Sequence, residues 1–176
     1  ESESDVAKYP DLERIVREKV KPERDTLGSN PNNVPLKRKW WAFQAHRPEL
    51  YRRLAKMTQV LATSQVNPNL AFAMMPAEWI YSQKAIVFAI ENYAGFSVIQ
   101  SRIHELWARF FSSTSMELTS YTPSDCFETF PFPIGYEDSA SLETKGREYA
   151  AARSAFMAAN VVGLTETYNR FNNPES

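Results

Sequence analysis

The chain has 176 residues, 43% of them hydrophobic, and carries 20 Lys/Arg against 21 Asp/Glu. This size suits one buried core, so we expect a single domain over residues 1–176. No apolar run approaches the ~20 residues of a membrane helix, the amino end is charged, and a lone cysteine excludes an internal disulfide. We therefore expect a cytoplasmic protein without a membrane partner. The chain opens on Glu1 and stops without a clear end, so we also expect an excised piece of a longer protein.

The amino-terminal part predicts an amphipathic helix within residues 1–25. Pro10 suits a first helical turn, and we expect the helix to end near Lys21-Pro22. Its apolar positions follow helical spacing: Leu12, Ile15, Val16 and Val20. Residues 26–36 are rich in Gly, Asn, Ser and Pro and nearly uncharged, which indicates an exposed loop.

The next stretch, KRKWWAFQAHRPELYRRLAKM, concentrates positive charge. Residues 37–56 contain seven Lys/Arg and one Asp/Glu, whereas residues 57–176 contain seven and twelve. Such local asymmetry indicates a surface for an anionic partner, although the net charge of the chain is only −1. Pro48 opens a short helix here, with apolar Leu50, Leu54 and Met57 on one side and Arg52, Arg53 and Lys56 on others.

Residues 58–90 alternate short apolar runs with turn residues, which predicts three or four strands, at 59–66, 70–75, 79–81 and 85–90. Residues 93–111 carry apolar side chains at helical spacing, which predicts one long buried helix. Its apolar positions are Phe96, Ile99, Ile103, Leu106, Trp107 and Phe110. Residues 116–121 suit one more strand, and the alanine-rich residues 136–160 suit a helix that Gly146 weakens.

These elements predict an α+β fold. Its core, residues 37–133, is expected to hold a small mixed β-sheet packed by the long buried helix. Helices flank this core at both ends, in residues 1–25 and in a carboxy-terminal helical segment, residues 136–171.

Residues that carry out catalysis are sparse. Nucleophilic attack by Cys126 needs a base, and His46 and His104 are the histidines of the chain. A thiol hydrolase using Cys126 and one of them stays open, but DCF is no nucleophile elbow. Two histidines and one cysteine placed singly predict no metal site. The five glycines never cluster as a phosphate loop does.

The basic stretch is therefore the main positive signal. Cations interleaved with Trp40, Trp41, Phe43 and Tyr51 offer phosphate partners and flat apolar surfaces together. The phosphate-binding candidates are Lys37, Arg38, Lys39, Arg52, Arg53 and Lys56. Weaker candidates for contacts with base edges are Arg47, Gln65, Asn67, Asn69 and Gln83, because Asn and Gln amides match the paired donor and acceptor of adenine. The alternative, that the aromatics belong to a core and the cations to a solvated helix face, stays open.

The stretch DCFETFPFP, residues 125–133, packs three phenylalanines and two prolines around the one cysteine. With Tyr121, its rings are spaced too irregularly for one helix face, and the prolines favour extended backbone. We expect an apolar clasp lying across the sheet and the long helix, with Cys126 as a small buried filler. Thr122, Ser124 and Thr129 are weaker candidates for facing DNA.

Five blocks of the sequence, in order, resemble the region that follows the catalytic domain in large bacterial adenine-specific DNA methyltransferases. These enzymes include the single-chain restriction-modification enzymes of the MmeI-like and related type II groups. The blocks are YPDLERIVREKVKPERD, KRKWWAFQAHRPELYRRLAK, QSRIHELWARFF, YTPSDCFETFPFP and GLTETYNRF. The resemblance implies a target recognition domain, a mixed α/β unit that grips the DNA major groove and selects the sequence to be methylated.

By this resemblance the partners are double-stranded DNA and the amino-terminal methyltransferase domain of the same parent chain, in a bacterial cytoplasm. The parent would use S-adenosylmethionine and could also cut DNA, whereas this chain would bind no cofactor and catalyse nothing. Adenine methylation needs an Asn/Asp-Pro-Pro-aromatic motif for the flipped base. The Asn-Pro pairs here continue as Asn32, Asn69 and Glu175 instead. A protein-interaction module that docks an acidic partner subunit through the basic helix is the alternative function.

Overall fold

The computed structural model describes residues 3–43, 47–115 and 118–173. They form two compact units, Glu1–Pro48 and Glu49–Ser176. Two compact units can belong to one domain, so the expectation of a single domain over residues 1–176 stays a prediction. In the described part of the chain, no helix has both the length and the apolar character needed to cross a membrane.

The first unit is helical. It contains α1 (Glu3–Val6), α2 (Pro10–Lys19), α3 (Lys21–Thr26) and α4 (Asn33–Arg38). The predicted amphipathic helix is confirmed as α2, which begins at Pro10 and ends before Lys21-Pro22. The loop predicted for residues 26–36 is wrong at its carboxyl end, because α4 begins within it and buries Leu36. The Asn30 side chain favours this start by accepting a hydrogen bond from the Asn33 N–H at 2.9 Å.

The second unit begins within α5 (Pro48–Leu54), the helix that Pro48 opens as predicted. Four strands follow: β1 (Gln59–Ser64), β2 (Val66–Asn67), β3 (Ala73–Pro76) and β4 (Ala85–Phe88). A three-stranded sheet has the order β3-β1-β4. Strands β5 (Ser113–Ser115) and β6 (Leu118–Ser120) form a second small sheet with β2, in the order β2-β6-β5. The predicted α+β class is confirmed, and so is the strand predicted at 116–121 over residues 118–120, whereas residues 116 and 117 lie outside the described residues.

The predicted mixed sheet needs correction, because β3 and β4 each pair antiparallel with β1. Two strands that run opposite to the same central strand run parallel to each other. The chain from β3 to β4 must therefore cross β1, and residues 77–84 make this crossing. The strand predicted at 79–81 is wrong for this reason: its apolar residues belong to the connection and pair with no strand.

Strand β1 is buried on both faces. Leu61 faces the main core, with Phe72, Phe88 and Phe96. Its neighbour Val60 faces the other side, where Leu54 of α5 and Ala77 cover the sheet. Residues 60–63 are all buried, so the strand reads as a continuous apolar run.

The long helix predicted for residues 93–111 consists of two helices, α6 (Tyr93–Ile99) and α7 (Arg102–Phe111). The break follows from capping, because the Ser101 side chain accepts a hydrogen bond from the His104 N–H at 3.2 Å and starts a new helix. Helix α6 is buried as predicted. Helix α7 buries His104 and Ala108, and the residues expected in the core, Ile103, Leu106 and Phe110, are exposed instead.

The predicted clasp is confirmed. Cys126 ends the short helix α8 (Pro123–Cys126) and is fully buried, as is Tyr121. The Phe127 ring contacts Phe88 of β4 with centroids 4.7 Å apart. The Phe130 ring contacts His104 of α7 at 4.9 Å. The segment thus connects the sheet to α7 through its rings, each contributing about 1.5–3 kcal/mol on full burial.

The predicted carboxy-terminal helical segment is confirmed. A 3₁₀ turn (Tyr136–Asp138) precedes α9 (Ala140–Asn160) and α10 (Leu164–Asn172). Gly146 is buried where α9 approaches α6: a Cβ there would press on the Tyr93 carbonyl and lie 2.7 Å from Ser97 Oγ. The glycine that weakens α9 as an isolated helix therefore permits close packing of two helices.

Gly146→Ala tests this close packing. We expect the substitution to lower the free energy of unfolding by about 1–3 kcal/mol, because backbone of α6 must move to admit the methyl group. Urea denaturation of the two proteins measures the change. On an exposed helix the same substitution stabilises by about 1 kcal/mol, so unchanged or increased stability would contradict the packing. The reverse change at an exposed α9 position, Ala155→Gly, is the matched control and should cost about 1 kcal/mol.

His104 should make stability depend on pH. Burial lowers the pKa of its ring, outweighing the opposite influence of the main-chain groups of Ile99 and Cys126. As pH falls below the unfolded value of about 6.5, the unfolded chain takes up a proton that the folded chain refuses. We expect the free energy of unfolding to fall between about pH 7.5 and 5.5, measured in urea. The variant His104→Gln should lose this slope, and a slope that persists there would refute the assignment.

Candidate nucleic-acid interface

Helix α5 presents the cations that its spacing predicts. Leu54 is buried against the sheet, with Leu50 and Met57 packed beside it. Arg52, Arg53 and Lys56 are exposed. Arg52 lies 3.6 Å from the carboxylate of Glu49, a solvent-exposed pair of little energetic value. Within the described residues, Arg53 and Lys56 have no carboxylate partner, so both are available to an external anion.

The first unit carries the other predicted phosphate ligands. Lys37, Arg38 and Lys39 lie at the carboxyl end of α4, where the helix dipole favours cations. They are exposed, and no ion pair involves them in the described part of the unit. Arg47 is exposed and follows residues 44–46, which include His46 and lie outside the described residues.

Some aromatic residues of the basic stretch belong to a core, and others lie on the surface where a ligand could contact them. Trp40 is buried in the first unit and lies under the guanidinium of Arg17, 4.9 Å from the ring centroid. This tryptophan belongs to a core. Phe43 is 75% exposed and Tyr51 is 39% exposed, so both remain accessible to a ligand.

Two of the predicted base-reading residues lie at one end of the larger sheet. The Gln65 N–H donates to the Lys84 carbonyl at 2.8 Å, and the Tyr121 N–H donates to the Gln65 carbonyl at 2.8 Å. Gln65 and Gln83 are both exposed. The backbone therefore brings Gln65 close to the Gln83-Lys84 dipeptide. Sequence reasoning missed exposed Lys84, because a single lysine in a turn carries no pattern.

The two asparagine candidates have different surroundings. Asn67 pairs with Thr119 through β2 and β6, and its side chain lies outside what the structure describes. The Asn69 amide donates to Asn169 Oδ1 at 2.9 Å and accepts from Asn172 Nδ2 at 3.0 Å. Both partners lie on α10, so Asn69 connects the sheet region to this helix. A base contact by Asn69 would have to compete with these bonds.

The Cys126 and His104 pair lacks the geometry of a catalytic site. Both residues are fully buried in the same core. His104 Nδ1 lies 2.8 Å from the Ile99 carbonyl, and Nε2 lies 3.0 Å from the Tyr121 hydroxyl. Burial also raises the pKa of Tyr121. With both ring nitrogens engaged and no exposed surface, this cluster stabilises the core. Among the residues with described placement, no group of three His, Cys, Asp or Glu residues could hold a metal ion.

The polar residues of the clasp make local contacts. Trp107 Nε1 donates to Thr129 Oγ1 at 3.2 Å, and the Thr129 hydroxyl donates to the Asp125 carbonyl. Ser124 donates to the Asp125 carboxylate at 3.1 Å. Thr122 immediately precedes α8. The weaker prediction that Thr122, Ser124 and Thr129 face DNA stays a prediction.

Comparison with protein families identifies a match over most of the chain. Residues 1–134 match a family model described as MmeI, target recognition domain. The matched region contains the basic stretch, both sheets, α6, α7 and the clasp, and it ends before α9. No curated protein matches the sequence.

The asparagine contacts generate a test. We expect Asn69→Ala to lower the free energy of unfolding by about 1 kcal/mol, because hydrogen bonds to α10 are lost. A double-mutant cycle with Asn172→Ala, followed by urea denaturation, should show that the two effects are not additive. Additive effects would mean that the contact between Asn69 and Asn172 contributes nothing to stability.

Proposed function

Since the chain belongs to the family of MmeI target recognition domains, we propose that it selects the DNA sequence modified by an adenine-specific methyltransferase. A target recognition domain serves DNA sequence recognition in a restriction-modification enzyme and is itself non-catalytic. Adenine as the target base, and S-adenosylmethionine as the cofactor of the parent enzyme, belong to the proposal. So do the bacterial cytoplasm as location and an amino-terminal methyltransferase domain as the partner in the parent chain.

The family match over residues 1–134 is the observation that carries the proposal. The surface chemistry supports it, because exposed cations without described carboxylate partners are what a phosphate backbone requires. In this mechanism cations fix the position of the domain on the duplex, and polar side chains distinguish the bases. The phosphate contacts are assigned to Lys37, Arg38, Lys39, Arg52, Arg53 and Lys56. The base contacts are assigned to Arg47, Gln65, Asn67, Asn69 and Gln83.

The alternative is a module that docks an acidic protein through α5. The exposed face of α5 suits either DNA or an acidic protein. The two functions are therefore distinguished by which of these two ligands the chain binds. DNA carries a condensed layer of counterions, and each phosphate contact releases a fixed share of them. A DNA-recognition domain therefore shows a steep, linear loss of log affinity with log salt.

We expect the chain to bind a random-sequence duplex at low salt, with a steep salt slope. Arg53→Ala and Lys56→Ala should each weaken binding to every duplex and reduce the slope by about 0.9, which corresponds to one phosphate contact. Fluorescence anisotropy of labelled duplexes at several salt concentrations measures both quantities. Lys145→Ala is the matched control, because this exposed lysine is paired with Glu148 at 2.7 Å on α9; its slope should equal that of the wild type.

Base contacts are distinguished from phosphate contacts by comparing two ligands: a duplex that the wild-type chain selects from a random library, and random-sequence duplexes. Gln65→Ala or Gln83→Ala should cost about 1–3 kcal/mol on the selected sequence and leave random duplexes unaffected. Unchanged sequence preference after removal of all the assigned residues would eliminate that assignment. Absence of any duplex binding by the wild-type chain would count against DNA recognition and in favour of the acidic protein partner.

A further inference from the structure

Residues 77–84 cross the central strand of the larger sheet from one end to the other. At the start, the Ala77 N–H donates to the Thr58 carbonyl at 3.1 Å, just before β1 begins. At the finish, the Lys84 carbonyl accepts from the Gln65 N–H at 2.8 Å, just after β1 ends. The six residues of β1 correspond to about 20 Å. We call residues 77–84 the crossover.

The crossover lies on the same side of the sheet as α5. Ala77 and Tyr81 pack with Leu54 of α5 and Val60 of β1. The opposite face of β1, marked by Leu61, is covered by the main core. Helix α5 and the crossover therefore form one layer over one face of the sheet, comprising residues 49–56 and 77–84. This α5–crossover layer lies entirely within the second unit.

The crossover holds two large apolar side chains in solvent. Trp79 is 50% exposed and Ile80 is 72% exposed. Hydrogen bonds fix the backbone on both sides: the Tyr81 hydroxyl donates to the Pro76 carbonyl at 2.6 Å, and the Ala85 N–H donates to the Ser82 carbonyl at 2.9 Å. Because these bonds already fix the backbone of the loop, little further conformational entropy is lost when its apolar side chains bind a ligand.

The charge of this layer favours an anionic ligand. Its side chains comprise four cations, Arg52, Arg53, Lys56 and Lys84, and two carboxylates, Glu49 and Glu78. Elsewhere in the described part of the second unit, the cations are engaged by the protein itself. Arg102 and Arg109 pair with Glu105, Lys145 with Glu148, Arg147 with Glu143 and Arg170 with Glu166. Arg153 donates to the Phe72 carbonyl and the Tyr168 hydroxyl.

A second exposed apolar surface, on α7, differs from the α5–crossover layer in the bonding of its cations. Helix α7 exposes Ile103, Leu106 and Phe110, but its Arg102 and Arg109 both bond to Glu105, and Arg109 also donates to the Pro68 carbonyl. To bind a phosphate, these arginines would have to exchange bonds that they already make within the protein. On the α5–crossover layer, exposed apolar side chains share a surface with Arg53, Lys56 and Lys84, which have no described carboxylate partner, and this combination suits the base edges and phosphates of a duplex.

We propose that the crossover is the element by which the second unit enters a groove of duplex DNA. Trp79 and Ile80 contact sugars and the apolar parts of base edges, as apolar side chains do in DNA grooves. Lys84 binds a phosphate beside them. The proposal rests on the DNA-recognition function proposed above and deepens it by assigning the contacting element.

Two isoleucines of matched exposure provide the test. Ile80 is 72% exposed on the crossover and Ile103 is 74% exposed on α7. Ile80→Asp places a carboxylate against the proposed phosphate path and should weaken binding to a random duplex at low salt at least about tenfold. Ile103→Asp should change the affinity less than about twofold, since α7 packs with the main core, on the face of the sheet opposite the α5–crossover layer. Anisotropy titration measures both, and circular dichroism confirms that each variant is folded.

A second pair of variants tests the same assignment without adding negative charge. Lys84→Ala should reduce the salt slope by about 0.9, whereas Lys145→Ala should leave it unchanged. Wild-type affinity in both Ile80→Asp and Lys84→Ala would overturn the crossover assignment, as would equal losses in Ile80→Asp and Ile103→Asp. These outcomes presuppose duplex binding by the wild type. Its absence would instead refute the DNA-recognition function and the crossover assignment together.

Discussion

The two-sided burial of β1 determines the arrangement of the second unit. This strand is covered on both faces and also lies at the centre of its sheet, with β3 and β4 at the two edges. Antiparallel pairing with one central strand then forces the connection between the edges to pass over a face. Main-core residues occupy one face, with Leu61, and the crossing chain shares the other with α5, which packs on Val60. Because α5 and the crossing chain share one face, the cations of α5 and the exposed side chains of Trp79 and Ile80 lie on the same layer.

The polar atoms inside the main core show how that core tolerates a histidine. His104 uses one ring nitrogen for a main-chain carbonyl and the other for the Tyr121 hydroxyl. Burying such groups without partners would cost several kcal/mol, whereas the paired arrangement fixes the orientation of both rings. The Phe72 ring contacts both of them, at 5.6 and 5.7 Å. A polar pair surrounded by aromatic rings thus holds α7, the clasp and the segment before β3 in one geometry.

Sequence patterns predict the elements whose signals are local. Pro10 and Pro48 mark helix starts, and the prolines and rings of residues 125–133 predict the clasp. The cations of α5 are predictable too, since Leu54 fixes which face is buried. Trp79 to Tyr81 resembles a strand because an apolar run does not reveal whether it pairs or crosses. The exposed apolar face of α7 resembles a core face in the sequence, because the spacing shows that the helix is amphipathic but does not show whether another element covers its apolar face. Asn69 depends on partners about a hundred positions away, which no local pattern contains.

Helices α9 and α10 lie beyond the family match, yet they are attached to the matched region by main-chain contacts. Arg153 donates to the Phe72 carbonyl at 2.8 Å, and Glu143 accepts from the Ala94 N–H at 2.9 Å. Truncation at residue 134 would leave these backbone groups exposed to solvent and uncover the α6 surface that Gly146 approaches. A chimera that transplants specificity between relatives should therefore carry both helices along with the recognition core, or retain their docking side chains in the recipient.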